Sequence, residues 1–477
     1  MGFKKKFFKN IAVFGGYSYL SWFFDTLIST IILSRFLGPK EYGFVALIYI
    51  FSGFIVLFSN TGLSYSVIRS PYGHHFHKLM SNLSIWVGLT LCLTLCLLAY
   101  PITLIYGNPK LFWPTIVISL QFFTSSFNIV PLALLEKKLD FKYVGRMNFF
   151  VTVITIALMI IMAVAGFSYW SLIVPNVTQP IIRSIFLQYK TKFGAYIYGF
   201  RMTKLGFSKV KTLFGSISVF NFVNYFARNS DNFAIGKFYG DVTLGLYDRA
   251  YKFLYMARRL INSAIGPVLF PSIVEAKEKG EDYKSHFLDV LGLLNIINFF
   301  ISVPLVLFSK PLTLALWGPN WIGVTQFMPY IGAIIPLQTL LISAMDLYLV
   351  QKKDKAYVTL GIPLTLILVA GIVIGAFFSA LHIVRFYALA FALVQTPVSL
   401  YVGHYRILNF SPKQILSFWG PKVLLTNLLI FSIWFGNIYI SSAIMFLMML
   451  DTFYKRQKDL LKIWRLVRGK LKKSNDE

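Results

Sequence analysis

The sequence predicts an all-α polytopic membrane protein of about fourteen transmembrane helices: two six-helix lobes in parallel repeat around a central cavity, plus two C-terminal helices. Three observations lead there. Of 477 residues, 57% are hydrophobic, 17% aromatic and only 13% charged, with a mean hydropathy of +0.66, too little polar surface to coat a soluble core of this length. Apolar runs of about 17 to 25 residues recur from Ile11 to the region of Asp451, the helix length that a hydrocarbon core of about 30 Å requires. Motifs of the first half of the chain also return, in the same order, in the second.

The opening MGFKKKFFKN has the basic character of a signal peptide, but the apolar run behind it is too long and lacks a small-residue cleavage site. It therefore reads as the first span, from about Ile11 to Ser34, with Ser18, Ser21, Asp25 and Ser29 on one face. The stretch Gly215 to Gly240 has a matching stripe. There Asn221, Asn224, Arg228, Asp231 and Asn232 fall within an arc of about 100°. An ionised side chain at the centre of a membrane helix costs about 2.5 to 3.5 kcal/mol, so such a stripe faces a bundle interior or a wet cavity.

Position for position, Ser18, Ser21, Asp25 and Ser29 correspond to Asn221, Asn224, Arg228 and Asn232. Just beyond, RFLGPKEYG (Arg35 to Gly43) matches KFYGDVTLG (Lys237 to Gly245). PITLIYGNP (Pro101 to Pro109) matches PLTLALWGP (Pro311 to Pro319), and Lys137-Lys138 matches Lys352-Lys353. An even number of spans per copy gives both copies the same orientation, related by an axis along the membrane normal. The expected domains are an N-terminal lobe (1–189), a cytoplasmic amphipathic linker (190–212), a C-terminal lobe (213–413), two extra transmembrane helices (414–454) and a basic cytoplasmic tail (455–477).

The net charge of +28 would suggest nucleic acid for a soluble protein, but its placement suggests a membrane. Counting alternate loops, one side receives about 33 of the 46 Lys and Arg, which makes that side and both termini cytoplasmic by the positive-inside rule. In the tail, Leu460, Ile463, Trp464, Val467 and Leu471 share one face amid basic residues, the pattern of a surface-lying helix.

The eighth span, roughly Leu246 to Ile273, offers a second set of candidates. Arg249, Lys252, Tyr255 and Arg259 share one face, and Arg258 points the opposite way. Arg249 and Lys252 either line a chamber or snorkel to the outer interface. Arg259 lies too deep to snorkel easily. With Arg228 it predicts a cationic chamber, since the guanidinium fork matches phosphate and carboxylate oxygens. Asp25 reads either as a structural ion-pair partner of Arg228 or as a protonation or cation site coupled to lobe movement, and Asp231 either pairs with Arg228 or joins that site.

Other features carry less. His74, His75 and His77 lack a carboxylate or Cys at ligand spacing, so no metal is expected. Cys92 and Cys96 sit four apart in one span and read as small apolar side chains. No GxxxxGK[ST] is present, which argues against energy coming directly from a nucleotide bound to this chain, and no cofactor is expected. Asn60, Gln121, Asn128, Asn176, Gln179, Gln326 and Gln338 read singly as links between helices and together suit a hydroxyl-rich sugar.

In order and spacing, RFLGPKEYGFVALI with FSNTGLSYSVIR, then LLEKKLDFKY, GFSYWSLIVPNV, and FARNSDNFAIGKFYG with LGLYDRAYKF resemble the polysaccharide-transporter branch of the multidrug/oligosaccharidyl-lipid/polysaccharide exporter superfamily. These are the Wzx-type repeat-unit flippases of O-antigen, capsule and exopolysaccharide synthesis. The likeness spans nearly the whole chain. It implies two six-helix lobes in a V, two extra helices, residence in the bacterial cytoplasmic (inner) membrane, and alternating access driven by an ion gradient. It also implies a substrate of undecaprenyl-pyrophosphate carrying a short oligosaccharide, moved to the outer leaflet for polymerisation, with a polysaccharide polymerase and assembly proteins as partners. The resemblance implies basic cavity residues that meet the pyrophosphate or acidic sugars, for which Arg228 and Arg259 are the candidates here, and Asn221, Asn224, Arg249, Lys252 and Tyr255 complete the expected substrate-binding set. A multidrug-type antiporter of the same superfamily is the alternative, but its cavity should be acidic and aromatic. An integral membrane polymerase or ligase should carry a large outer loop with catalytic groups, and the outer loops here are short.

Overall fold

The computed structural model describes residues 15–59, 63–69, 73–194, 196–198, 211–264 and 266–454. The amphipathic tail and most of the linker, 199–210, lie outside the described residues. Those described are nearly all helical, with no strand among them. The helices are α1 (15–33), α2 (Pro39–Ser59), α3 (Leu63–Arg69), α4 (His74–Tyr106), α5 (Phe112–Lys137), α6 (Phe141–Val164) and α7 (Trp170–Thr191). They are followed by α8 (Lys211–Ala264), α9 (Gly266–Glu278), α10 (Tyr283–Leu307), α11 (Ser309–Leu316), α12 (Met328–Ile342) and α13 (Ala344–Val350). The chain ends with α14 (Asp354–Ala376), α15 (Ala380–Ile407), α16 (Pro412–Trp434) and α17 (Ile438–Tyr454).

Among the described residues, nine helical stretches are long and apolar enough to cross a membrane. Fourteen crossings would also need α1, α7, the two halves of α8 and α17, which are shorter or more polar. Polarity is the cost of the stripes: α7 carries Asn176, Gln179 and Arg183, and α8 carries Arg228, Asp231 and Arg249.

Local signals set the ends. Pro39 opens α2 at the position where a missing N–H is harmless, and the Glu41 carboxylate reaches back to accept the Gly38 N–H at 2.9 Å. Gly107 closes α4 in the left-handed conformation, φ 63°. Asp282 caps α10, where the Ser285 hydroxyl, at 2.6 Å, and the Ser285 N–H hold its carboxyl below the usual range. Ser411 and Gln414 form a reciprocal capping box at the start of α16.

The chain divides into two compact units, one running to Leu246 and including Leu316–Trp321, the other comprising Tyr247–Ala315 with the chain from Ile322 onward. In the first unit α4, α5 and α7 pack closely, because Gly88 brings α4 within side-chain range of Phe122 and Ser126 on α5. Neutral polar side chains tie these helices: Asn128 Nδ2 donates to the Pro180 carbonyl at 3.0 Å, and Asn176 Nδ2 to the Tyr49 hydroxyl at 2.8 Å. The Cys92 and Cys96 sulfurs both contact the Ser119 hydroxyl. The described start of the linker is strapped onto α4: Asn82 accepts the Tyr198 N–H at 2.6 Å, Trp86 donates to the Tyr198 carbonyl at 3.0 Å, and Phe193 is buried beside His74.

The repeat-related motifs meet in this unit. A Cβ on Gly43 would fall 1.7 Å from the Asp241 carbonyl oxygen, and one on Gly245 would fall 1.9 Å from the Pro39 carbonyl oxygen. Gly43 matches Gly245 and Pro39 matches Asp241 in the sequence repeat, so the contact is reciprocal, as across a two-fold axis. Gly240, φ 81°, breaks α8 just before Asp241, as α2 begins at Pro39. Tyr225 hydrogen-bonds the Ile50 carbonyl at 2.6 Å, which joins the first half of α8 to α2.

In the second unit α10 packs on α12 and α17, α14 on α15, and α16 on α12 and α17. Gly332 admits α10, and Ser302 Oγ donates to the Gly332 carbonyl. Gln338 donates to the Tyr387 hydroxyl at 2.7 Å, linking α12 to α15. Residues Ala390–Gln395 and Ser399–Ile407 of α15 are wound as π-helix.

Candidate functional site

In the first half of α8, Arg228 is exposed and makes no ion pair among the described residues, so it is joined to neither Asp25 nor Asp231 in this conformation. Asp231 is buried, 2% exposed, and accepts the Asn232 N–H at 2.7 Å. Asn232 is half-buried, and its side-chain oxygen has no hydrogen-bond partner. Burial thus divides the stripe. Asn221 and Asn224 lie on the helix, but their side chains are outside the described residues. Asp25 is exposed and sits in a π-helical turn, Phe24–Ile28. Such turns recur at functional sites because the wider ring displaces side chains from the α register.

In the second half of α8, Arg249 is 1% exposed. Its guanidinium is therefore buried within the protein and does not snorkel. Lys252 pairs with Asp248 one turn away at 3.5 Å, a contact worth little where both side chains stay a third or more exposed. Tyr247, Tyr251 and Tyr255 form a ladder with ring centroids 5.5 and 5.2 Å apart. Tyr255 and Arg259 are exposed, and Arg258 is half-buried with its Nε lacking a hydrogen-bond partner. No cluster of three or more metal-ligating side chains occurs among the described residues.

Two further charged groups escaped the sequence reading. Arg183 of α7 is half-buried, and its Nε has no partner. The available signal was an arginine eight residues before the end of an apolar helix. The second group is an ion pair between the two C-terminal helices: Lys422 Nζ lies 3.1 Å from Asp451 Oδ2, with the side chains 7% and 10% exposed. The same ammonium donates to the Phe418 carbonyl at 2.9 Å and sits 4.3 Å over the Phe418 ring. A Lys and an Asp inside consecutive apolar spans were the available signal.

The arrangement places guanidinium groups on α7 and α8, and a guanidinium fork suits anionic oxygens. The chain is 22% identical over 406 residues to the lipopolysaccharide biosynthesis protein WzxC of Escherichia coli (strain K12), covering 83% of this chain and 80% of that protein. It is 23% identical over 266 residues to the teichuronic acid biosynthesis protein TuaB of Bacillus subtilis (strain 168), covering 54% and 53%. Among solved structures, the lipid II flippase MurJ in an inward closed conformation matches with a TM-score of 0.70 at 13% identity, covering 94% of this chain and all of MurJ. A multidrug resistance MATE family transporter of the MOP superfamily, inward-facing, matches with a TM-score of 0.59 at 14% identity, covering 82% and 94%. The chain therefore has the multi-pass helical fold of these transporters. The family model described as "Polysaccharide biosynthesis protein" matches residues 32–326, more than half of the sequence, and the chain belongs to that family.

Proposed function

We propose that this protein is a flippase that carries undecaprenyl-pyrophosphate-linked oligosaccharide repeat units from the inner to the outer leaflet for surface polysaccharide synthesis. The observation that carries the reading is the fold shared with a lipid II flippase along nearly the whole chain, in a member of a polysaccharide biosynthesis family. Fourteen spans form two six-helix lobes, 1–189 and 213–413, joined by the linker 190–212 and followed by two extra helices, and both termini are cytoplasmic. The lobes rock between inward- and outward-open states, driven by a proton or sodium gradient, with Asp25 and Asp231 as the coupling or lobe-interface acids. Arg228 and Arg259 neutralise the pyrophosphate, supported by Asn221, Asn224, Arg249, Lys252 and Tyr255. Without that neutralisation, carrying a bare pyrophosphate through hydrocarbon would be prohibitive.

The MATE likeness keeps an antiporter reading in view, but the basic residues of α8 favour an anionic cargo over a cationic one. The test is outer-leaflet accumulation of the repeat unit in cells expressing Arg228→Ala or Arg259→Ala at verified levels. Each is expected to fall about tenfold, the effect of losing about 1.4 kcal/mol of charge neutralisation. Wild-type accumulation from both variants would remove the cationic site.

A further inference from the structure

The last nine residues of α15, Ser399–Ile407, are π-helical, so positions five apart lie over one another. Arg406 consequently stands above Tyr401: its Nη2 donates to the Tyr401 hydroxyl at 2.6 Å, and the guanidinium lies 4.7 Å from the Tyr401 ring centroid. The Tyr405 ring stacks on Tyr401 at 5.9 Å. These three side chains, with Asn409, Phe410 and Ser411, line a shallow, open surface cavity of about 650 Å³. The capping box between Ser411 and Gln414 fixes the start of α16 on that side. Among the described residues, no carboxylate lines the cavity. Around it, Lys284 Nζ donates to the Asn409 carbonyl and lies 5.5 Å over the Phe410 ring, and Lys353 Nζ donates to the Ile407 carbonyl.

Tyr401 occupies one guanidinium N–H of a side chain that has five, which leaves donors for a ligand. A cationic, aromatic cavity without an acid suits a phosphate. Its position identifies the source. α15 and α16 are both membrane-spanning candidates, and the cavity lies at the turn between them, where one candidate span ends and the next begins. On α16, Leu416, Leu424 and Leu428 are 69%, 61% and 46% exposed and fall on one face, an apolar ridge that starts beside the cavity. A soluble anion has no use for that ridge, but acyl chains do.

We propose that this cavity binds the phosphate of an anionic phospholipid of the cytoplasmic leaflet, gripped by Arg406, which Tyr401 orients, with the acyl chains along the exposed ridge of α16. The proposal rests on membrane embedding and on the positive-inside orientation, not on what cargo the protein carries.

The test uses the full chain in detergent, exchanged against phosphatidylglycerol or phosphatidylcholine of identical acyl chains, with retained lipid counted by native mass spectrometry. Wild type should retain phosphatidylglycerol preferentially, and millimolar inorganic phosphate should not displace it. Arg406→Gln should lower phosphatidylglycerol retention about tenfold. Tyr401→Phe, which keeps the ring and removes only the hydroxyl that orients Arg406, should give a smaller loss, and Arg146→Gln on α6 should give none. If Arg406→Gln fails to fold, judged by its melting transition, Tyr401→Phe decides. Wild-type retention by the folded Arg406 variant, or by Tyr401→Phe where it decides, would overturn the proposal. Displacement by inorganic phosphate would also overturn it, by assigning the cavity to a soluble anion.

Discussion

Lys422 has three partners at once, the Asp451 carboxylate, the Phe418 carbonyl and the Phe418 ring, in a place where water is scarce. Removing one member of such a pair leaves an uncompensated charge. Lys422→Met is expected to cost about 3 to 5 kcal/mol, while Lys422→Met with Asp451→Leu should recover most of it. Thermal unfolding of the three variants in one detergent checks this, and a single variant as stable as wild type would show that the pair does not hold these helices. Lys422 is hard to see in the sequence because α16 and α17 lie outside the repeat, so no matched position marks it. Arg249 was half legible: its charge and face could be read from spacing, but whether it snorkelled or was buried depended on neighbours distant in sequence. Its 1% exposure answers that.

At the scale of elements, the reciprocal glycine contact gives the sharpest expectation. Gly43→Ala and Gly245→Ala each place a methyl carbon under 2 Å from a backbone oxygen of the opposing motif, which no side-chain rotation relieves. Each should destabilise by about 1 to 3 kcal/mol or more and lower transport in parallel. Gly361→Ala on α14, where a Cβ meets nothing within 4 Å, should be neutral or stabilising by up to about 1 kcal/mol. Equal melting temperatures for all three would contradict the account. The Asp282 cap adds a pH dependence. Its folded-state pKa is depressed, so its contribution is complete above the ordinary carboxylate range and is lost as pH falls through the lower folded value. Asp282→Ala should therefore cost about 1 kcal/mol near neutrality and less in acid, as read from melting temperatures across pH. Helix ends of this kind were written in the sequence, since Pro, Gly and capping residues act locally. The π-helical turns were not, because the same residues fit an α or a π register and tertiary packing selects between them.

For the whole molecule, hydropathy and the ordered return of short motifs were enough to read an all-helical membrane protein with an internal repeat. Membrane spans are legible because each must satisfy its own backbone in lipid, whatever its neighbours do. The meeting of Gly43 with Gly245 was not legible, although the motifs were, since similarity of two segments does not say that they touch. The site was legible only as chemistry: arginines, asparagines and acids in apolar helices, of which the structure buries Asp231 and Arg249 and leaves Arg228 and Arg259 exposed. The central claim is that this arrangement carries a lipid-linked oligosaccharide across the bilayer. The most direct measurement places labelled undecaprenyl-pyrophosphate oligosaccharide in proteoliposomes of the purified chain and follows its access to a membrane-impermeant reagent. The account predicts transfer well above the protein-free rate, accelerated by an imposed proton or sodium gradient and reduced about tenfold by either Arg228→Ala or Arg259→Ala and about a hundredfold by the two together. Transfer no faster than in protein-free vesicles would contradict it.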